Sequence, residues 1–397
     1  MSKPISVAIG ELIAPVKTWS PESDAPDESF MYIDISAVDQ GAKAIVGARE
    51  MPCAEAPSRA RQIVAGDDVL VSTVRPNLNG VARVPSELGG ATASTGFCVL
   101  RPRPEKINSS YLFHWIRSPQ FIAEMVRRAT GASYPAVSDR IVCESKLPLP
   151  ALPEQRRIAE ALDRAEALRA KRRAAFAQLD TLTQSIFLDM FGDPATNPKM
   201  WPLRTIGELA AKFSDGPFGS NLKTEHYADE GIRVVRLQNI GVGEFLNDNK
   251  AYISEQHFER LKKHECRPGD ILVATLGDPN LRACIQPKWL QIALNKADCV
   301  QFRAEEHIAN GAYVCALLNQ PSTACMAHGL MLGQTRVRIS MGRLRDLKVP
   351  VPPLSLQQQF ASRVAGVVKL KATHEVSLTQ LDALFASLQH RAFRGEL

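Results

Sequence analysis

The chain of 397 residues is longer than one ordinary domain and suits two or three. Hydrophobic residues make up 45% of it and charged residues 23%, a globular balance that excludes the disordered and fibrous classes. The formal net charge of +6, from 48 basic and 42 acidic residues, permits a nucleic-acid partner without establishing one.

The sequence contains no membrane or export signal that we recognise. No stretch approaches 18 consecutive apolar residues, so we expect no transmembrane helix. Glu11 interrupts a short apolar run near the N-terminus, which argues against a signal peptide. The eight cysteines are scattered and include no Cys-x-x-Cys pair, so we expect neither a zinc site nor a disulfide framework. A reducing cytoplasm is the location that this pattern predicts.

The most informative feature is an internal repeat at an offset of 202 residues. Six of 14 positions are identical between residues 146–159 and 348–361, and six of 14 between 178–191 and 380–393. Fainter identities, such as Asp68 with Asp270, continue upstream without a gap. The chain is therefore predicted to be a tandem duplication of a unit near 200 residues, a pseudo-two-fold molecule that presents one kind of surface twice.

Each repeat begins with a mixed part. Short β-type runs at 68–74 and 231–237 are bounded by Gly, Pro, Asn and Asp, and a helical stretch lies near 111–116. This pattern predicts an α+β fold with twisted sheets. We place the two globular domains at 1–146 and 196–348.

Each repeat ends in a long helix, in the regions 147–195 and 349–397. Residues 154–191 contain neither Pro nor Gly, and the second helix is predicted from Gln357 to about His390. Apolar residues recur at spacings of three and four over about five heptads, which predicts coiled-coil packing. The repeat suggests that the two helices pair antiparallel, with one globular domain at each end.

Two stretches carry a resemblance to a known family. The same pattern occurs at Leu147–Ala159 and at Val349–Ala361. It consists of a strand interrupted by prolines and then the start of the long helix, which has Glu154-Gln155 in the first copy. In the second globular domain Asp215–Ser220 is followed by the Arg-Leu-Gln-Asn-Ile run at 236–240. The chain resembles the specificity (S) subunit of a type I restriction–modification system. It departs from the family pattern at Leu356, where a Glu is expected, and the first domain lacks a counterpart of Asp215–Ser220.

The resemblance implies a non-catalytic subunit. Two target-recognition domains would each read one half of a split double-stranded DNA sequence. The paired helices would measure the distance between the halves and bind two methyltransferase (M) subunits. The resemblance places S-adenosylmethionine, ATP and Mg on partner subunits, including the motor/restriction (R) subunits, and no cofactor on this chain. The residues assigned to the helix pair and to subunit docking are Glu154, Gln155, Ile158, Leu162, Leu179, Leu182, Gln357, Phe360, Val364, Leu381 and Leu384.

The residues themselves also argue against an enzyme. An adenine methyltransferase would carry an Asn/Asp-Pro-Pro-aromatic loop, and a motor would carry a phosphate loop with Gly-Lys, and neither occurs. One rival interpretation is a metal-dependent nuclease or fused modification enzyme that uses Glu144 and Lys146 with their repeats Asp346 and Lys348. The alternative is that these lysines lie on a strand edge before the prolines. A second rival is a coiled-coil scaffold that binds protein.

Sequence readout of DNA needs Arg, Lys, Asn or Gln presented from loops or helix ends, and phosphate contacts also use Ser, Thr and backbone N–H groups. Polar clusters of this kind occur in both domains. The predicted DNA-binding residues are Arg75, Asn77, Asn79, Arg128, Ser133, Tyr134, Ser220, Asn221, Lys223, Arg236, Gln238, Asn239, Thr335, Arg336 and Arg338. The basic run from Arg169 to Arg173 lies in the middle of the first long helix. The sequence leaves open whether it faces DNA, a partner subunit or solvent.

Overall fold

A computed structural model describes residues 5–277, 279, 281–329, 331–332 and 338–397, with the side chains of all but Asp180, Met331 and Leu332. The chain divides into two compact units. Unit 1 comprises Met1–Ala174 and Glu375–Leu397, and unit 2 comprises Ala175–His374. Each unit thus contains one predicted globular domain and part of both long helices. Among the described residues, no helix is long and apolar enough to cross a membrane.

Unit 1 is a mixture of strands and helices. Its strands are β1 (Ile5–Ala8), β2 (Ile13–Ala14), β3 (Ser29–Ile33), β4 (Val38–Asp39), β5 (Ala44–Ile45), β6 (Arg49–Pro52), β7 (Ala60–Ile63), β8 (Val69–Ser72), β9 (Val81–Arg83), β10 (Thr92–Ser94), β11 (Phe97–Pro102) and β12 (Lys146–Leu149). Its helices are α1 (Pro21–Asp24), α2 (Ser109–Ile116), α3 (Pro119–Arg128), α4 (Asp139–Glu144), the first part of α5 (Leu152–Phe191) and the last part of α10 (Leu354–Arg394).

Two four-stranded sheets form the centre of unit 1. One has the strand order β6-β3-β10-β7 and the other β2-β11-β8-β9, while β1 pairs with β12 and β4 with β5. The central strands of the second sheet, β8 and the first four residues of β11, are buried on both faces, so their sequences are nearly continuous apolar runs rather than alternating ones. A single apolar core joins this sheet and α2 to Leu162 of α5 and to Phe393 near the C-terminus.

Unit 2 is built from the same kinds of element. Its strands are β13 (Leu203–Thr205), β14 (Ala210–Ser214), β15 (Tyr227–Ala228), β16 (Ile232–Val235), β17 (Tyr252–Ile253), β18 (Glu265–Cys266), β19 (Ile271–Ala274), β20 (Ala283–Ile285), β21 (Ala293–Asn295), β22 (Cys299–Ala304), β23 (Met331–Leu332), β24 (Arg338–Ile339) and β25 (Lys348–Pro350). Its helices are the end of α5, α6 (Glu255–Arg260), α7 (Gly311–Leu318), α8 (Pro321–His328), α9 (Met341–Asp346) and the first part of α10 (Leu354–Arg394).

The sheets of unit 2 follow the topology of unit 1. A four-stranded sheet has the order β14-β22-β19-β20, and a five-stranded sheet has the order β15-β17-β16-β21-β18. Among the residues described, each unit contains one parallel strand pair: Tyr32 lies opposite Thr92 in unit 1, and Val234 lies opposite Leu294 in unit 2. These two registers are 202 residues apart. The predicted mixed α+β architecture is confirmed.

Buried hydrogen bonds also recur 202 positions apart. The Tyr111 hydroxyl donates to the Pro148 carbonyl at 2.7 Å, and the Tyr313 hydroxyl donates to the Pro350 carbonyl at 2.7 Å. The Arg101 guanidinium pairs with the buried Asp68 at 2.7 Å, as Arg303 pairs with Asp270 at 2.7 Å. The two units therefore use the same internal contacts to attach their helices and strands.

Local sequence accounts for the ends of the helices. Asn108 and Ser138 accept hydrogen bonds from backbone N–H groups of the first turns of α2 and α4, which would otherwise lack partners. Pro153 lies in the first turn of α5, where a helix tolerates proline. Gly192, with φ of 81°, follows the last residue of α5 in the left-handed conformation that ends helices.

Candidate nucleic-acid interface

The structure brings together two of the polar clusters predicted in unit 1. Val74 forms an isolated bridge with Ala136, and the Arg75 N–H donates to the Pro135 carbonyl at 2.7 Å. The Arg75 guanidinium lies 4.9 Å from the centre of the Tyr134 ring, a cation–π contact. The Tyr134 side chain is 68% exposed. A cation and an aromatic face are thus presented to solvent from two neighbouring loops.

The backbone of the first of these loops, residues 75–79, is constrained. Arg75 and Asn79 have φ of 50° and 49°, in the left-handed region that non-glycine residues rarely occupy. Pro76–Leu78 form a single 3₁₀ turn between them. Such conformations cluster at functional sites, where the surrounding structure holds them. Asn77 is exposed at the tip of the turn, while the side chain of Asn79 is half-buried.

The second predicted cation of unit 1, Arg128, has ion-pair partners within the unit. Arg128 ends α3 and forms ion pairs with Glu144 at 2.5 Å and Glu124 at 3.5 Å. The hydrogen bond that Arg128 donates to the Glu144 carboxylate raises the pKa of its guanidinium above its ordinary value. Ser133, in contrast, lies exposed beside Tyr134. Within this unit Arg75, Asn77, Ser133 and Tyr134 are the predicted residues best placed for a contact with nucleic acid.

In unit 2 the predicted residues Ser220, Asn221 and Lys223 are exposed on a short irregular segment. The buried Leu222 anchors this segment in a small apolar cluster. The His257 ring bonds to the Asn221 carbonyl at 2.9 Å and so fixes the segment to α6. Because the backbone is anchored, the three polar side chains point outward from a defined position.

The run at 236–239 divides into exposed and structural residues. Gln238 is exposed, and the Arg236 guanidinium donates to the Asn249 carbonyl. Asn239 is fully buried: its amide donates to the carbonyls of Leu246 at 3.0 Å and of a second loop residue, and its oxygen accepts the Arg236 N–H at 3.0 Å. Asn239 therefore shapes the loop rather than reading DNA, which corrects its assignment from the sequence.

The last predicted cluster is only partly described. Thr335 and Arg336 lie outside the described residues. Arg338 forms an ion pair with Asp298 at 2.7 Å, lies 3.8 Å from Asp215, and stacks 5.1 Å from the centre of the Phe218 ring. Burial, with the neighbouring Asp298 carboxylate, raises the pKa of Asp215 to about 6. Two carboxylates thus compensate the charge of Arg338.

Sequence reasoning missed a loop in unit 2 that corresponds to the 75–79 loop. Leu276 bridges Arg338, 202 positions on from the bridge between Val74 and Ala136. In the segment that follows, 277–281, the structure describes Gly277, Pro279 and Leu281; Gly277 has φ of 118° and Leu281 has φ of 65°. Shifting the 75–79 loop by the repeat offset of 202 residues would have located this segment. Residues 75–79 and 277–281 share no identical position, however, so sequence identity did not reveal it.

The motif that opens each long helix contains a buried glutamine. The Gln155 side chain accepts the Asn108 N–H at 2.9 Å and donates to the carbonyls of Pro150 at 2.9 Å and Lys106 at 3.2 Å. Gln357 makes the same three bonds in unit 2, at 2.8, 2.8 and 3.1 Å. These side chains are inaccessible to a partner subunit, so their predicted role in docking is corrected to attachment of each helix to its own unit. Glu154 is instead paired with Arg157 at 2.6 Å on the surface.

Within unit 1 the two long helices are in contact and run in opposite directions. Arg157 near the start of α5 bonds to the carbonyl of Leu397, and Arg169 pairs with Asp382 at 2.6 Å. The Arg169 guanidinium also lies 4.4 Å from the centre of the Phe385 ring. Arg169 is therefore an internal residue of unit 1 and not a free cation for DNA.

The predicted apolar stripe is only partly buried. Ile158, Leu162, Leu179 and Phe360 are buried, and Val364 and Leu381 are half-buried. In unit 2, Phe360 meets Phe187 and Phe191 with ring centres 5.7 and 5.4 Å apart. Leu182 and Leu384, however, are 37% and 51% exposed, which corrects their assignment to helix–helix packing. Phe187 and Phe385, which the periodicity did not single out, are the buried residues near them.

The residues of the rival nuclease interpretation do not form a catalytic group. Lys146 and Lys348 begin the strands β12 and β25, as the alternative interpretation expected. Glu144 is bonded to Arg140 and Arg128, which lower the pKa of its carboxyl and make it a poor base. Among the residues described, no three His, Cys, Asp or Glu side chains are grouped so that they could hold a metal ion.

Comparisons with known proteins agree with this geometry. A family model of the type I restriction modification DNA specificity domain matches residues 60–175. The MjaVIII type I restriction enzyme specificity subunit of Methanocaldococcus jannaschii is 21% identical over 312 residues, 75% of this chain and 72% of that protein. The EcoBI specificity subunit of Escherichia coli is 23% identical over 333 residues, 76% and 68% of the two chains. A chain from a structural study of complex assembly in a type I R-M system is 25% identical, with a TM-score of 0.66 over 100% of this chain and 99% of that one.

The fold, the exposed polar loops and these likenesses together define a DNA target-recognition protein. The chain carries a type I restriction modification DNA specificity domain over residues 60–175, and over 75–76% of its length it is similar to specificity subunits of type I restriction enzymes, the resemblance that the two helix-opening motifs predicted.

Proposed function

We propose that this subunit reads a bipartite double-stranded DNA target, with one half-site recognised by each unit. The observation that carries the proposal is the repetition of the same strand register and the same buried hydrogen bonds 202 residues apart. Two units with one internal framework and different exposed loops are suited to reading two different half-sites. Base discrimination would come from the side chains of those loops.

The first experiment tests whether reading is modular. In a host with the intact system, methylome sequencing identifies the motif. Arg75→Ala should then relax base preference in one half-site, and Gln238→Ala in the other, by about 1–3 kcal/mol for a lost base contact. Arg140→Ala, which removes an 86% exposed side chain in unit 1, and Gln256→Ala on α6 are matched controls.

A motif that is not bipartite would contradict the proposal. So would a variant that relaxes both half-sites equally, because each substitution changes one unit only.

The proposal includes docking of methyltransferase subunits on the long helices. Apolar side chains on these helices are left exposed in both units. They are Leu168, Val376 and Leu384 in unit 1, and Leu182, Leu188, Val368 and Leu370 in unit 2. Exposed apolar residues of this kind are typical of a protein–protein interface. We propose that M subunits cover them and carry S-adenosylmethionine, while R subunits carry ATP and Mg.

Charge placed on this surface tests the docking. The double variant Leu168→Glu, Leu384→Glu should lose co-purification with the M subunits and retain the thermal unfolding of the isolated chain, since both side chains are already solvated. Arg164→Glu changes an 81% exposed residue on the same helix and should leave assembly unchanged. Retention of the M subunits by the double variant would place the interface elsewhere.

We further propose that this chain supplies recognition only. The purified chain, incubated with labelled S-adenosylmethionine and DNA, should transfer no methyl groups and cleave no DNA. Transfer or cleavage that survives removal of every partner would refute this part of the proposal.

The helix length is proposed to determine the gap between the half-sites. Four residues inserted in α5 after Arg173 add about 6 Å at about 1.5 Å per residue. That length corresponds to one or two base pairs of DNA at about 3.4 Å each. The methylated motif should keep both half-sites and lengthen its gap, whereas an unchanged gap with full methylation would show that another feature determines the distance.

A further inference from the structure

In unit 1 a lysine ties two segments at the candidate interface together. The β4–β5 hairpin carries Lys43 at its turn, and the Lys43 ammonium donates to the Asn79 carbonyl at 2.5 Å. Asn79 ends the constrained 75–79 loop that presents Arg75. The hairpin therefore holds this loop by a charge-assisted hydrogen bond, which is shorter and stronger than one between neutral groups.

In unit 2 the corresponding segments are joined by an arginine. The Arg282 guanidinium donates to the Ile240 carbonyl at 2.9 Å, the Leu237 carbonyl at 3.2 Å and the Pro279 carbonyl at 2.8 Å. Pro279 belongs to the 277–281 loop, while Leu237 and Ile240 flank Gln238. Ile240 lies 202 positions after Val38 of the hairpin and is bridged to Phe245.

We call the Lys43 bond and the Arg282 bonds the two clamps. They join the same two segments, but the side chain that makes the bond comes from a different segment in each unit. Lys43 comes from the hairpin and reaches the loop, whereas Arg282 follows the loop and reaches the segment equivalent to the hairpin. Position 245, equivalent to Lys43, is a phenylalanine that packs 5.7 Å from Trp289, and position 80, equivalent to Arg282, is a glycine.

Unit 1 has little space for an arginine at the position equivalent to Arg282. A Cβ at Gly80 would lie 3.1 Å from the Cβ of Ser72, so a side chain there would require Ser72 to shift by a few tenths of an ångström. The same pair of segments is thus joined in both units by unrelated residues. The two clamps are not copies of one sequence feature, because neither Lys43 nor Arg282 has an identical residue 202 positions away.

We propose that Lys43 and Arg282 are positioning residues for base recognition, each of which governs the half-site read by its own unit. This rests on the proposed bipartite function. Recognition loops discriminate bases only if their side chains are held to within about 0.5 Å of a productive geometry. A mobile loop loses conformational entropy when it becomes ordered on DNA, and this cost weakens binding. A loop that is already held in place does not bear this cost.

The two clamps differ in their dependence on pH. Burial lowers the pKa of Lys43 to about 8, and Arg117 lowers it further, while Asp39 and Glu166 act in the opposite direction. As the pH rises through this value the Lys43 ammonium loses its proton and the bond loses its charge. A guanidinium stays charged over the same range. Discrimination by unit 1 should therefore weaken between pH 7 and 9, and discrimination by unit 2 should not.

The stability of the fold changes in the opposite direction. Since the folded pKa of Lys43 lies below its ordinary value of 10.5, the folded chain binds fewer protons than the unfolded chain between about pH 8 and 10.5. This group therefore adds stability as the pH rises. Loss of half-site discrimination at pH 9 without loss of stability would be a positioning effect and not partial unfolding.

The experiment uses the full chain assembled with its M subunits and duplexes that carry the methylated motif. Each duplex has one base-pair change in one half-site, and the methylation rate ratio measures discrimination. Lys43→Met should reduce discrimination about tenfold in one half-site, and Arg282→Met about tenfold in the other, as expected for loss of a hydrogen bond to a charged group. Lys43→Arg should restore discrimination and remove its dependence on pH.

Lys146→Met and Lys263→Met change exposed lysines in units 1 and 2 and serve as matched controls. Equal loss in both half-sites, or wild-type discrimination that is flat from pH 7 to 9 in both, would overturn the inference. The pH series on the wild-type assembly needs no variant, so a variant that fails to fold does not remove the test. A wild-type assembly whose motif is not bipartite would refute the proposed function itself.

Discussion

The buried glutamine of each helix-opening motif offers the sharpest test of how the helices are attached. Gln155→Met retains the length of the side chain and removes three hydrogen bonds to Asn108, Pro150 and Lys106. One backbone N–H and two carbonyls lose their partner in a site where the side chain is 1% exposed. Each unsatisfied buried group costs about 1–3 kcal/mol, so with partial relaxation we expect a loss of about 3–5 kcal/mol.

Because Gln357 makes the same bonds at nearly the same distances, Gln357→Met should cost a similar amount in unit 2. A chain with two compact units need not unfold in one step, so a single melting temperature is a poor measure. Hydrogen exchange reports each unit separately. Gln155→Met should reduce protection in α2 of unit 1, and Gln357→Met in α7 of unit 2.

Exposed neighbours provide matched controls. Arg156 and Gln358 lie one residue further along the two helices, and their side chains are solvated. The control variants are therefore Arg156→Met and Gln358→Met. They should change protection by less than about 0.5 kcal/mol. A cost below about 1 kcal/mol for either buried glutamine would show that the three bonds are not what attaches the helix. Equal loss of protection in both units would show that the units are not separate cooperative structures.

Four further outcomes are expected from the same exchange measurement. Arg101→Met should destabilise unit 1 by about 3–5 kcal/mol by leaving a buried carboxylate unpaired. Arg303→Met should cost unit 2 less, because Gln301 also donates to the equivalent carboxylate at 2.6 Å, and an equal cost would contradict that reasoning. Burial lowers the pKa of His114, so the unfolded chain takes up a proton first and unit 1 should lose stability as the pH falls below about 6.5, a slope that His114→Gln should reduce. The raised pKa of Asp215 has the opposite consequence, and unit 2 should gain stability from this group as the pH falls from about 6 towards 4, a gain that Asp215→Asn should abolish.

Several features of the fold were predictable because they depend on local chemistry. The absence of Pro and Gly from 154–191 predicts a helix there, and the structure has one from Leu152 to Phe191. The apolar run at 69–72 is a strand in the middle of a buried sheet. The motif carrying Gln155 was found because it occurs twice, although its position alone could not distinguish a docking residue from a buried one.

The candidate interface was less predictable. Asn239 and Gln238 are neighbours of similar polarity, but one is buried with all its hydrogen bonds satisfied and the other is exposed. Leu182 and Leu384 follow the apolar spacing, yet both are exposed. Periodicity records which positions share a helix face. It does not record how wide a face the neighbouring elements cover.

The sequence alone predicted the mixed architecture, the long helices, the repeat at an offset of 202 residues and the resemblance to specificity subunits, since these depend on composition, spacing and repeated identities. Only the tertiary structure decided which polar side chains are available. Arg128 and Arg338 were predicted to bind DNA, and Arg169 lies in a run predicted to face DNA, a partner or solvent. Each of the three is paired with carboxylates. The physical reason is that a charged group becomes a structural contact or a binding group according to what surrounds it, and those surroundings come from residues distant in the chain.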